Sequence, residues 1–332
     1  MRPPEFWSAN PQGRDAAWTL RLLLTPVAWA YAAVAEHRLR TTVSRHAPVP
    51  VICIGNLTVG GAGKTPITRA VRAKLGPHAH TLSRGYGGHA VGPLRVTPDM
   101  DAHEVGDEPL LHAQDGPAWI ARDRYAGAMA AAQAGAHVIV MDDGFQNPTL
   151  AKDLSIVAVD PGYGVGNGEV FPAGPLRERL SAGLARADAI VMLGDLTDGA
   201  SWLDAFTKPV LFAKLAPSAP PPQGKLLAFA GLARPEKFFD TLEAAGGELA
   251  DAVPFADHHP YSEDDLRLLL QMAEERDGAQ LITTEKDAAR LSPEWRARVA
   301  VLPVVARFDD ETALDTLLAP IVSRMTAAHG EA

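Results

Sequence analysis

The stretch TVGGAGKTP, Thr58 to Pro66, follows the apolar run VPVICIG after Asn56 and Leu57. An apolar strand that enters a glycine-rich turn and then opens a helix is the setting of the phosphate-binding pattern G-x-x-x-x-G-K-[ST]. Gly63, Lys64 and Thr65 supply the second half of that pattern. Thr58 stands where the first glycine is usual, with Val59, Gly60, Gly61 and Ala62 between. Successive backbone N–H groups in such a turn point at an anion, and the helix N-terminus adds positive partial charge. Lys64 would reach the β- and γ-phosphates of a nucleotide, and the Thr65 hydroxyl would bind Mg²⁺. Pro66 sits early in the helix, where a missing N–H costs little. Thr58 must then be accommodated without a positive φ.

A loop of this kind needs an acidic partner at the end of a neighbouring strand. HVIVMDD (137–143) ends in Asp142 and Asp143, one of which would enter the Mg²⁺ shell directly or through water. Further apolar runs, LSIVAVD (154–160) and ADAIVMLG (187–194), alternate with helical segments. Continuously apolar strands alternating with helices imply a mostly parallel sheet covered on both faces, an α/β fold of the P-loop NTPase type. SAPPPQGK (218–225) is a stiff, proline-rich linker, after which the strand–helix pattern restarts. The expected organisation is an N-terminal helix within 1–45, a P-loop core over 46–217, the linker 218–225 and a smaller α/β domain over 226–332.

Residues 15 to 40 read as a helix with Trp18, Leu22 and Trp29 on one stripe. Arg21 and Pro26 interrupt the apolar stretch, which argues against a spanning helix. Three of the six tryptophans fall in the first 29 residues and arginines flank the segment, as suits a helix lying in a membrane interface. The first 50 residues carry a net +3 although the whole chain carries −9, an acidic balance that excludes bulk binding to nucleic acid. The single cysteine, Cys53, precludes an internal disulfide and fits a reducing compartment. The start, MRPPEFW, does not read as a secretory signal.

Seven motifs then occur in order: GNLTVGGAGKTP (55–66), SRGYGG (83–88), GDEP (106–109), DDGFQ (142–146), PAGPLRE (172–178), DHH (257–259) and TEKDAARL (284–291). Together they resemble the tetraacyldisaccharide 4'-kinases, the lipid A 4'-kinases of Gram-negative bacteria, over nearly the full length. That family carries Ser or Thr at the position of Thr58. The resemblance implies transfer of the γ-phosphate of ATP to the 4'-hydroxyl of a tetraacylated glucosamine disaccharide 1-phosphate. It implies work at the cytoplasmic face of the inner membrane, peripheral or monotopic, with the N-terminal helix meeting a lipid substrate. It assigns Asp107 as the catalytic acidic residue and His258 as its partner, with His259 the rival. Arg177 would neutralise charge on the transferring group and Glu178 would complete the Mg²⁺ shell. Gln146 and Arg124 would contact nucleotide or substrate phosphate, with Arg122 the rival of Arg124. Lys286 would touch nucleotide or lie on the surface. Three other readings compete: a P-loop GTPase, for which N-K-x-D is absent, a soluble small-molecule kinase, and a non-catalytic nucleotide-binding adaptor.

Overall fold

A computed structural model describes residues 4–8, 16–196, 200–232 and 234–329. In chain order the strands are β1 (Val51–Gly55), β2 (Ala79–Ser83), β3 (Leu94–Val96), β4 (Ala118–Ile120), β5 (Val138–Asp142), β6 (Leu154–Val159), β7 (Ala189–Leu193) and β8 (Val210–Pro217). Then follow β9 (Lys225–Ala230), β10 (Glu248–Pro254), β11 (Gln280–Thr284), β12 (Ala300–Leu302) and β13 (Val304–Phe308). Among the described residues nine strands form one sheet, in the order β13-β8-β7-β6-β1-β5-β2-β4-β3. Its seven central strands are parallel, and antiparallel β13 and β3 close the two edges. Strands β1, β2, β5, β6 and β7 are buried at almost every position, because helices cover both faces. Ile52, Ile54, Val138 and Val140 pack toward the phosphate-loop helix (Lys64–Leu75) and the C-terminal helix (Glu311–His329). Cys53, Ile139, Met141 and Phe145 pack on the other face.

A second, four-stranded parallel sheet has the order β10-β9-β11-β12. Its two faces carry separate cores, one around Phe229, Leu266 and Trp295 and the other around Phe238, Phe239 and Leu242. The expected division gave everything from 226 to 332 to this smaller unit, and the chain departs from it. Strand β13 pairs with β8 of the large sheet, and Leu314, Leu318 and Ile321 of the C-terminal helix enter the core beneath β1 and β6. The smaller unit is therefore an insertion between two adjacent antiparallel strands. The apolar positions of 304–321 need a partner, and the exposed edge of β8 supplies both hydrogen bonds and a face to cover.

The N-terminal helix runs unbroken from Ala16 to Thr41 through Pro26. It docks by its small residues, Ala28 and Ala32, and leaves Trp18, Leu22, Leu23, Val27, Trp29 and Val34 exposed. Arg21 is paired with Glu169 at 3.0 Å, so its charge is compensated within the protein.

Candidate active site

The turn after β1 explains its threonine. Thr58 lies in an extended bridge against Leu176, outside the left-handed region, so glycine has no advantage there. Its carbonyl accepts from the Asn56 side-chain amide at 2.8 Å and from Arg177 Nε at 3.0 Å. Val59 N–H donates to Pro175 O at 2.7 Å, and Arg177 N–H to Leu57 O at 2.7 Å. The PAGPLRE segment thus holds the loop's first half like a short strand. The reversal falls instead at Gly60 (φ 115°) and Gly63 (φ 71°). A Cβ on Gly63 would also stand 2.1 Å from a methyl of Leu193.

Strand β5 runs beside β1 with Asp142 level with Ile54, which carries the paired aspartates to the mouth of the loop. The two differ in setting. Asp142 is 1 % exposed and accepts from the Thr65 hydroxyl at 3.1 Å and from His112 Nε2 at 2.8 Å, both at Oδ2. Burial pushes its carboxyl up, but His112, Lys64 and Thr65 outweigh that and hold it below the usual carboxylate range. Its Oδ1 is buried with no hydrogen-bond partner. Asp143, with φ 53°, is part-exposed between Arg177 Nη1 at 2.9 Å and Lys64 Nζ at 3.7 Å. An ionised, bare carboxylate oxygen beside a hydroxyl fits Mg²⁺, which takes few protein ligands and completes its octahedron with phosphates and water. No group of three or more His, Cys, Asp or Glu gathers to cage an ion among the described residues.

The second half of the site spans the two units. Asp107 opens the helix Asp107–Asp115, and Arg290 from the smaller unit grips its Oδ2 through Nε at 3.0 Å and Nη2 at 2.5 Å. His258 Nδ1 lies 3.2 Å from the same oxygen. Burial raises the Asp107 carboxyl, but His258, Lys286 and Arg290 together depress it strongly. His258 itself has φ 57°, and its N–H donates to Gly231 O at 3.1 Å, so the loop after β10 is bent to present the ring. His259 is instead turned to Asp265 at 3.0 Å, part of the cap of the helix Glu263–Glu275. Lys286 reaches Glu108 at 3.2 Å and lies 3.4 Å from His258 Nε2.

Three expected site residues are engaged by protein partners. Glu178, expected in the metal shell, is buried and both its oxygens are held by Arg186, at 2.5 and 2.6 Å. Arg186 comes from the helix Leu180–Arg186 and covers the Phe145 ring at 4.2 Å, so the pair forms a wall behind the loop. Gln146 donates to Asn56 O at 2.9 Å and to Glu178 at 3.1 Å, bracing that wall. Arg124 is buried and donates to Ala121 O at 2.6 Å, and burial with neighbouring Arg84 brings its guanidinium down to about 10. Arg122, its rival, is exposed.

Sequence reasoning missed Arg290 and His112. Arg290 lies within TEKDAARL four residues after Lys286, in the turn that follows the short helix Glu285–Ala288. His112 follows Asp107 on the same short helix, amid buried Leu110, Leu111 and Ala113, and offered no signal beyond being a histidine in an apolar run.

Comparison with known proteins matches this geometry to a family. The family model described as Tetraacyldisaccharide-1-P 4'-kinase matches residues 20–323. A Tetraacyldisaccharide 4'-kinase of Hyphomonas neptunium is 51% identical over 98% of this chain and 99% of its own length. One of Rhodospirillum centenum is 51% identical over 100% of both chains. The crystal structure of an LpxK from Aquifex aeolicus in complex with ATP superposes with a TM-score of 0.73 at 27% identity, covering 91% of this chain and 99% of that one. With its phosphate loop, paired aspartates and two-unit cleft, this chain belongs to the tetraacyldisaccharide-1-P 4'-kinase family.

Proposed function

We propose that this chain transfers the γ-phosphate of ATP to the 4'-hydroxyl of a tetraacylated glucosamine disaccharide 1-phosphate, a step of lipid A biosynthesis. The observation that supports it most is the convergence on one cleft of a phosphate loop, a buried Asp142 with a bare oxygen, and Asp107 held across the cleft by the smaller unit. The helix joining the two halves fixes their spacing: Asp107 and His112 are five residues apart, about 7.5 Å along a helix axis, and His112 touches Asp142.

The loop from Thr58 to Thr65 would hold the β- and γ-phosphates, with Lys64 and Arg177 supplying positive charge. Thr65 and Asp142 would hold Mg²⁺, with Asp143 beside them; the ion neutralises charge on the triphosphate. Asp107 would take the proton of the 4'-hydroxyl as the new O–P bond forms and the bond to ADP breaks. A strongly depressed carboxyl is a weak base, so the proton would leave late, which suits a loose transition state that asks little of the nucleophile. His258 and Arg290 would keep the carboxylate aimed.

The substrate is a lipid, and the exposed face of the N-terminal helix would meet the membrane that carries it. By length and composition Trp18–Thr41 could also cross a bilayer. The Arg21–Glu169 pair and the Tyr31–Phe171 contact, ring centres 5.6 Å apart, lay the helix along the folded body instead. That favours a peripheral or monotopic protein at the cytoplasmic face of the inner membrane.

The test is incubation with γ-labelled ATP, Mg²⁺ and the tetraacyl disaccharide 1-phosphate in detergent micelles, with Lys64→Ala alongside. Label on the lipid, reduced on the order of 10²- to 10³-fold in the variant, is the expected result. ATP hydrolysis with no labelled lipid would reject the lipid kinase and leave another acceptor to find.

A further inference from the structure

We propose that His112 is a positioning residue that orients Asp142 toward Mg²⁺; this rests on the reading of the loop as the ATP–Mg²⁺ site. His112 and Asp142 are each 1 % exposed, and His112 Nε2 lies 2.8 Å from Asp142 Oδ2. A carboxylate can only accept, so Nε2 carries the proton and donates. The Thr65 hydroxyl, at 3.1 Å, donates to the same oxygen. Both donors therefore converge on Oδ2, and Oδ1 is left bare and buried. Rotation of the carboxylate would break both bonds at once, and the one to His112 joins two groups that are each 1 % exposed. One oxygen is anchored so that the other has a fixed direction, the way outer partners orient metal ligands.

A purely packing role explains less. The neighbours Leu110, Leu111 and Ala113 are buried and apolar, and a leucine at 112 would fill such a site without a polar atom. The histidine instead leaves Nδ1 buried with no partner, a cost that an apolar residue would not carry. What it adds over leucine is the N–H directed at Asp142. Its placement on the helix that begins with Asp107 also ties the seat of the metal carboxylate to the seat of the proton acceptor.

The experiment uses the full chain in detergent. Mn²⁺ affinity is read by electron paramagnetic resonance in the presence of β,γ-methylene-ATP, and affinity for that nucleotide is read separately in EDTA. His112→Leu and His112→Met keep bulk and remove the donor, so one remains informative should the other not fold. His112→Gln places an amide N–H at about the reach of Nε2. The expected result is a loss of about 10- to 100-fold in Mn²⁺ affinity for the apolar variants, unchanged nucleotide affinity in EDTA, and recovery in the Gln variant. Folded apolar variants that hold Mn²⁺ within about twofold of the parent would overturn the proposal, since removal of an orienting partner does not leave affinity intact. A parent protein that binds the nucleotide no better with Mn²⁺ than in EDTA would overturn the ATP–Mg²⁺ reading and this inference together, which separates the two failures.

Discussion

Glu178 and Arg186 form an ion pair whose acid is 3 % exposed, directly behind the phosphate loop. Removing the acid leaves a guanidinium against Phe145 with its best acceptor gone. Glu178→Ala should therefore lower stability by about 1–3 kcal/mol, seen as a lower denaturant midpoint, while the Mg²⁺ dependence of nucleotide binding stays as in the parent. A weakened Mg²⁺ dependence with unchanged stability would return Glu178 to the metal shell. The same residues show what a sequence displays and what it hides. Lys64, Thr65 and the Asp142–Asp143 pair were legible because the loop chemistry is local and strand ends are readable from apolar runs. Arg290 was not, because its partner Asp107 lies 183 residues away and nothing local in either marks the pairing. The link from Asp107 to His258 came only through family resemblance. The partner of Glu178 was not legible, because adjacency to Arg177 in PLRE does not reveal which way each side chain faces: Arg177 turns to Asp143, Glu178 to Arg186.

The N-terminal helix is the element whose surface is least suited to water. Its buried contacts are made by alanines, and its large apolar residues point away from the body. The sequence announced this element well, since tryptophans and flanking arginines are a compositional signal. Its span through Pro26 was legible too, but its docking on Phe171 and Glu169 was not, because that register is a tertiary matter. The double variant Trp18→Ser/Trp29→Ser removes two exposed rings that support no core. It should weaken partition onto vesicles of anionic and zwitterionic lipid by at least about tenfold, given about 1.5–3 kcal/mol for burying one large apolar side chain. Its melting temperature should match that of the parent. Equal partition in a vesicle flotation assay would mean that another surface meets the membrane.

Across the whole molecule, ion pairs bridge the two units on both sides of the cleft. Arg290 and His258 meet Asp107, Lys286 meets Glu108, and Lys237 and Arg234 of the smaller unit meet Asp160 of the larger. Arg290→Gln removes the two-point guanidinium contact from Asp107 while leaving the phosphate loop intact. It should lower kcat by about 10- to 100-fold with the KM for ATP changed little, as expected for loss of an interaction that matters during transfer rather than binding. A large rise in that KM with kcat preserved would instead make Arg290 a nucleotide contact. The proline-rich linker marks where the chain leaves the nine-stranded sheet for the four-stranded one, but nothing comparable marks its return. Strand β13 is a short apolar run like any other, and only pairing geometry assigns it to β8 rather than to β12. That return has a consequence for how the protein is made. As the chain emerges from the ribosome, the edge of β8 and the apolar face under β1 and β6 stay uncovered until residues 304–321 appear. The smaller unit, by contrast, has all four strands of its sheet by residue 302. The later-synthesised unit can thus fold first, and the catalytic core, begun at the N-terminus, is the last part to be sealed.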